Sequence, residues 1–128
     1  MKTALIIRGL PGSGKTTLAQ TVAPDANVAA DQWFGRHNDG VFDPALLPRA
    51  HEWCFNMFAS MIVDGQDIVA VHNTFTTRAE YEAYVDYAKQ FGYTVHVMTI
   101  ENVQCTESIH NVPWKTIDKM ETRYELTL

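Results

Sequence analysis

The chain has 128 residues, 46% of them hydrophobic, and a formal net charge of −5. That supplies one core, so the expectation is a single domain over 1–128 with no separate substrate-binding domain. The acidic balance excludes the broad basic surface that non-specific nucleic-acid binding needs.

The first element is Thr3-Ala4-Leu5-Ile6-Ile7-Arg8, a mostly apolar run of β-formers that predicts a buried strand. Arg8 interrupts it, so the N-terminus lacks the design of a secretory signal. Gly9-Leu10-Pro11-Gly12-Ser13-Gly14-Lys15-Thr16 follows and fits G-x-x-x-x-G-K-[ST] in full. Glycines at those positions let the backbone curl with its N–H groups inward, a nest for an anion at the positive end of a helix. Lys15 is expected to reach the β- and γ-phosphates, and Thr16 to offer its hydroxyl to Mg²⁺. Gly9 to Thr16, with Thr17, form the expected nucleotide-binding segment. The helix that follows carries Leu18 and Val22 on one face and stops at Pro24. Strand, glycine loop and helix together predict a nucleoside triphosphate site.

Asn27-Val28-Ala29-Ala30 predicts a second strand, with Asp31 at its C-terminal end. Ligands bind at that edge of open α/β sheets. Asp31 is therefore the candidate general base, and with Thr16 a candidate metal ligand; the alternative is a helix cap or a solvated loop residue. Residues 32–42, with Gly35, Asn38, Asp39 and Gly40, read as a loop shaping the acceptor side. Trp33, Phe34 and Phe75 flank that side, as bases for stacking or as ordinary packing. Arg36 is a candidate ligand contact.

Asp43-Pro44 predicts an N-cap and first helical position. Apolar residues at 46, 47, 50, 53, 54, 57, 58, 61 and 62 predict a long amphipathic helix, stopped at Gly65. Cys54 falls on its apolar side as a core thiol. The chain has two cysteines, no C-x-x-C pair and no Cys/His ligand spacing; with no run long enough to span a membrane, the expectation is a cytoplasmic protein with reduced thiols.

Residues 67–73 predict a third strand ending in His72-Asn73-Thr74. An aspartate that orients Mg²⁺ is common at His72's position in phosphate-loop enzymes, and imidazole suits that ion poorly. Asn73 and Thr74 either hydrogen-bond the acceptor or cap the strand end. Thr77-Arg78-Ala79-Glu80 has capping-box form, with Tyr81, Tyr84, Val85 and Ala88 as the inward face of the helix it opens and Gly92 as its end. Arg78 is a candidate to neutralise charge on the transferred group. Residues 93–100 predict a fourth strand, Glu101 to Asn111 a loop without arginine or lysine, and Pro113 to about Tyr124 a last helix. The alternation implies an α/β fold of three layers, a mostly parallel sheet with helices on both faces.

The chain resembles the polynucleotide kinase-like branch of P-loop kinases, particularly its short ATP-binding members. The resemblance runs from about Leu5 to Glu125 on Arg8 to Ala19, Asp31-Gln32-Trp33-Phe34, Phe42-Asp43-Pro44, Ala50 to Cys54, Asn73-Thr74-Phe75, Gly92-Tyr93, Val112-Pro113 and Met120 to Glu125. It implies a P-loop NTPase fold and transfer of the γ-phosphate of ATP to a hydroxyl, in the best-known members the 5′-hydroxyl of DNA or RNA. Asp31 would be the base, and Lys15 and Thr16 would hold nucleotide and Mg²⁺. Broader relatives phosphorylate sugars or hydroxymethylated pyrimidines of phage DNA. The chain departs from the pattern at His72, where aspartate is usual, at Phe34, where the nucleic-acid kinases carry arginine, and in the lid region, which lacks arginine. The expected partners are thus ATP and a nucleic-acid end or nucleoside. The alternatives are a nucleoside or small-molecule kinase, or a nucleotide-binding module with little turnover.

Overall fold

The computed structural model describes residues 1–101. The last predicted helix, Cys105, Arg123 and the loop beyond Glu101 lie outside the described residues.

Four parallel strands form one sheet in the order β2-β3-β1-β4: β1 (Thr3–Gly9), β2 (Asn27–Val28), β3 (Ile68–Asn73) and β4 (Thr94–Ile100). The helices are α1 (Lys15–Val22), α2 (Gln32–His37), α3 (Leu47–Val63) and α4 (Arg78–Gln90), with a short 3-10 turn at Pro44–Leu46. Pleating sends alternate residues of the central strands to opposite faces. Ala4, Ile6, Val69 and Val71 pack with Phe58 and Ile62 of α3 and Tyr81, Tyr84 and Val85 of α4. Ile7 and Ala70 pack on the other face with Ala19 and Ala23 at α1. Both faces are therefore covered, as the uninterrupted apolar strands require. Each fully buried side chain such as Phe58 or Ile62 contributes roughly 1.5–3 kcal/mol by leaving water.

The element boundaries depart from the sequence reading in four places. β2 is only two residues long, because the carbonyls of Ala29 and Ala30 turn to accept from the N–H groups of Gln32 and Trp33. Residues 32–37 form α2 rather than loop, and Phe34 is its buried anchor at 3% exposure. The Asp43 carboxylate does cap, accepting from Ala45 N at 3.0 Å, but the turn it opens is 3-10; α3 starts afresh at Leu47 with Pro48 in its first turn. At α4, Thr77 makes no side-chain cap. Glu80 instead reaches back to Thr76, accepting from its N at 2.6 Å and its Oγ1 at 3.0 Å.

Candidate active site

α1 and α4 lie on opposite faces of the sheet, yet they follow the neighbouring strands β1 and β3. The carboxyl ends of these two strands therefore open a crevice between diverging helices, the usual ligand position in such sheets. Three stretches of sequence meet there: the glycine loop after β1, Asp31 beyond β2 and residues 72–76 at the end of β3. Together they line a cleft of about 800 Å³, within the usual range for ligand pockets.

The glycine loop has the backbone its sequence demands. Gly12 and Gly14 take φ of 82° and 98°, left-handed values that side chains resist. Gly14 is also the N-cap of α1. Gly9 is required for space instead: a Cβ there would lie 2.6 Å from Ser13 Oγ and 3.0 Å from the Ile100 carbonyl. Ser13 is buried, and its Oγ has no hydrogen-bond partner among the described residues.

Lys15, at 7% exposure, donates from Nζ to the Leu10 carbonyl at 3.0 Å and lines the cleft with Pro11 and Thr16. Burial pulls its pKa down from 10.5 to about 8, with Asp31 acting weakly in the opposite sense. A desolvated cation and an unpartnered hydroxyl in a curled loop fit an anionic polyphosphate, which would add to the negative charge of Asp31 and offset the burial of the lysine. Thr16 and Asp31 line the same cleft, and their oxygens suit Mg²⁺, which keeps several of its waters. No cluster of three or more His, Cys, Asp or Glu side chains forms a metal cage among the described residues.

Asp31 stands at the N-cap of α2 without capping it through its side chain, exposed to the cleft. His72 is 3% exposed and also lines the cleft. Thr74 is half-buried there. Asn73 lines it too, but both ends of its amide hold the frame. Its Oδ1 accepts from Ala30 N at 2.8 Å, and its Nδ2 donates to Cys54 Sγ at 3.5 Å. It ties the end of β3 to the residue preceding Asp31. Burial pushes the Cys54 thiol up, partly offset by hydrogen bonds from Tyr84 and Asn73, so this thiol belongs to the core.

Three expected ligand contacts are not brought to the cleft lining. Arg78 starts α4 and turns to Glu82 one helical turn on, 3.8 Å away, with 56% of its side chain exposed. Helical α2 stacks Trp33 on His37 at 5.1 Å and carries Arg36 over the Trp53 ring at 5.4 Å. Phe34 lines the cleft from its buried position.

Arg8, which the sequence reading placed only in the first strand, is absent from the cleft lining but braces the turn that forms part of its wall. It is fully buried, donates from Nε to the Phe75 carbonyl at 3.0 Å and from Nη2 to the Thr76 carbonyl at 3.1 Å, and lies over the Tyr81 ring. It clamps a turn in which Phe75 takes a φ of 47°, a strained value for a bulky residue. The available signal was an arginine at the end of an otherwise apolar strand, immediately before the glycine loop.

Fold and glycine loop together define an α/β protein of the P-loop class. A family model described as AAA domain (AAA_33) matches residues 5–126, and the chain belongs to this P-loop kinase family. Human NEDD4-binding protein 2 is 30% identical over 95 residues, covering 71% of this chain and 5% of that protein. A chain in the structure of the Pnkp1/Rnl/Hen1 RNA repair complex superposes with a TM-score of 0.67 at 19% identity, over 95% of this chain and 43% of the other. The APS kinase CysC of Mycobacterium tuberculosis superposes with a TM-score of 0.54 at 10% identity, over 95% and 96%. The chain thus spans a small part of the human relative and under half of the RNA repair chain.

Proposed function

We propose that the protein is a phosphotransferase that binds Mg-ATP in the glycine loop and moves the γ-phosphate to a hydroxyl held on the Asp31 side of the cleft. The observation that carries this reading is the buried Lys15 beside Asp31 in one cleft: a phosphate-seeking cation and a carboxylate on the cleft wall. Asp31 accepts the proton of the acceptor hydroxyl as its oxygen bonds to phosphorus. The bond from the γ-phosphorus to the bridging oxygen breaks, and ADP leaves with that electron pair. Lys15 and the loop N–H groups stabilise the charge that moves onto the leaving diphosphate. Mg²⁺, held through Thr16 and Asp31 oxygens, would neutralise the phosphate oxygens. Among acceptors, a nucleic-acid hydroxyl is supported by the likeness to a chain of an RNA repair complex.

The test is transfer from γ-labelled ATP to a panel of acceptors. Lys15→Ala should abolish nucleotide binding. Asp31→Ala should retain binding and lower transfer on the order of 10²–10⁴-fold. Wild-type turnover in Asp31→Ala would remove the base assignment, and tight ATP binding with no acceptor labelled would favour a nucleotide-binding module.

A further inference from the structure

The phosphate half of the cleft carries Lys15; the acceptor half differs in character. Its lining carries the rings of Phe34, Phe42, Phe55 and Tyr84, and its ionisable groups are the carboxylates Asp31, Glu52 and Glu80 with the imidazole of His51, which burial holds below the usual histidine pKa and so keeps neutral. Lys15 is the only lysine or arginine on the lining among the described residues. Glu80 is held in place by Thr76, and Glu52 is exposed on α3. An acceptor phosphate would therefore meet negative charge and rings, which cost binding through like-charge repulsion and desolvation. A flat uncharged ring with N–H groups finds the half-buried rings of Phe42 and Phe55 and carboxylate acceptors instead.

We propose that the acceptor half of the cleft takes a free nucleoside, carrying no phosphate, in preference to a phosphate-bearing nucleic-acid end. The inference rests on the kinase reading and, on the charge of the lining, sets a free nucleoside ahead of the nucleic-acid hydroxyl named above as its acceptor. The base lies among the aromatic walls, its N–H groups face the carboxylates, and the 5′-hydroxyl points toward Asp31.

The experiment uses the full chain with Mg²⁺ and a non-hydrolysable ATP analogue. Calorimetry compares the four nucleosides with their 3′-monophosphates and with a short 5′-hydroxyl oligonucleotide. The nucleosides should bind at least about tenfold more tightly than their phosphorylated forms, and Glu52→Lys, at an exposed helix position, should narrow or invert that ratio. Tighter binding of the 3′-monophosphates or the oligonucleotide overturns the proposal, as does an absence of nucleoside binding. A ratio unmoved by Glu52→Lys overturns the charge argument behind it. Transfer of label from γ-labelled ATP, measured in parallel, separates the two readings. Label reaching the oligonucleotide alone leaves the kinase and removes the nucleoside subsite. Nucleoside binding with no label moved to any acceptor leaves the subsite and removes the kinase.

Discussion

Lys15, the proposed phosphate-binding residue, is tuned at a cost to the fold. Its pKa is pulled from 10.5 to about 8 by burial, so between those values the unfolded chain holds a proton that the folded chain has released. Stability therefore rises with pH across that window, and the penalty is fully present below about 8. Lys15→Met should remove this pH dependence and stabilise the unliganded protein by on the order of 2–3 kcal/mol at neutral pH, read by denaturant unfolding at several pH values. The same variant should lose nucleotide binding. In the wild type, a polyphosphate raises the lysine's pKa, so binding near pH 8.5 should take up a proton; calorimetry in buffers of different ionisation enthalpy measures it. Gly9 is a residue of a different kind, limited by space. Gly9→Ala should destabilise by about 1–3 kcal/mol. Adding Ser13→Ala should recover only part of that in thermal melts, because the Ile100 carbonyl at 3.0 Å is backbone.

At the scale of elements, the site is built where the ends of strands are tied to one another. Arg8 holds the turn after β3 through two carbonyls, and Asn73 holds β3 to the residue before Asp31. Neither tie is local, since the bonded residues lie 67, 68 and 43 positions apart. Arg8→Met should cost about 2–4 kcal/mol, because two buried carbonyls lose charged donors. Arg8→Lys should restore little of it, since a single ammonium cannot reproduce the fork of a guanidinium; urea midpoints compare the two. Helical periodicity predicted α3 and α4, and continuous apolar runs predicted the four strands, because buried stripes and buried runs both leave a mark on the chain. It missed α2: six residues with glycine and a single buried anchor, Phe34, are too few to set a period. The capping at α4 slipped by one residue because Glu80 found both a backbone N–H and a hydroxyl at Thr76.

For the molecule as a whole, the crevice follows from topology. A helix on each face of the sheet, leaving adjacent strands, opens the space in which glycine loop and Asp31 meet. Anything that binds only the folded form stabilises it by mass action, so Mg-ATP at a hundred times its Kd should add about 2.7 kcal/mol. That is a rise of several degrees in Tm, absent in Lys15→Ala. Among the described residues no helix is long and apolar enough to cross a membrane.

The glycine loop was legible in the residues themselves, because its pattern is contiguous: glycines free to adopt left-handed φ, a lysine and a threonine at set spacing, between a strand and a helix. The α/β class was legible for a related reason, since alternating apolar runs and amphipathic stripes are local patterns. Which polar groups at the sheet edge face a ligand and which brace the frame was decided only in three dimensions. Parallel register sets Arg8 against Asn73 and turns both inward as struts, while helical geometry takes Arg36 and Arg78 to surface partners. Those outcomes depend on contacts between distant segments, which no stretch of sequence displays by itself.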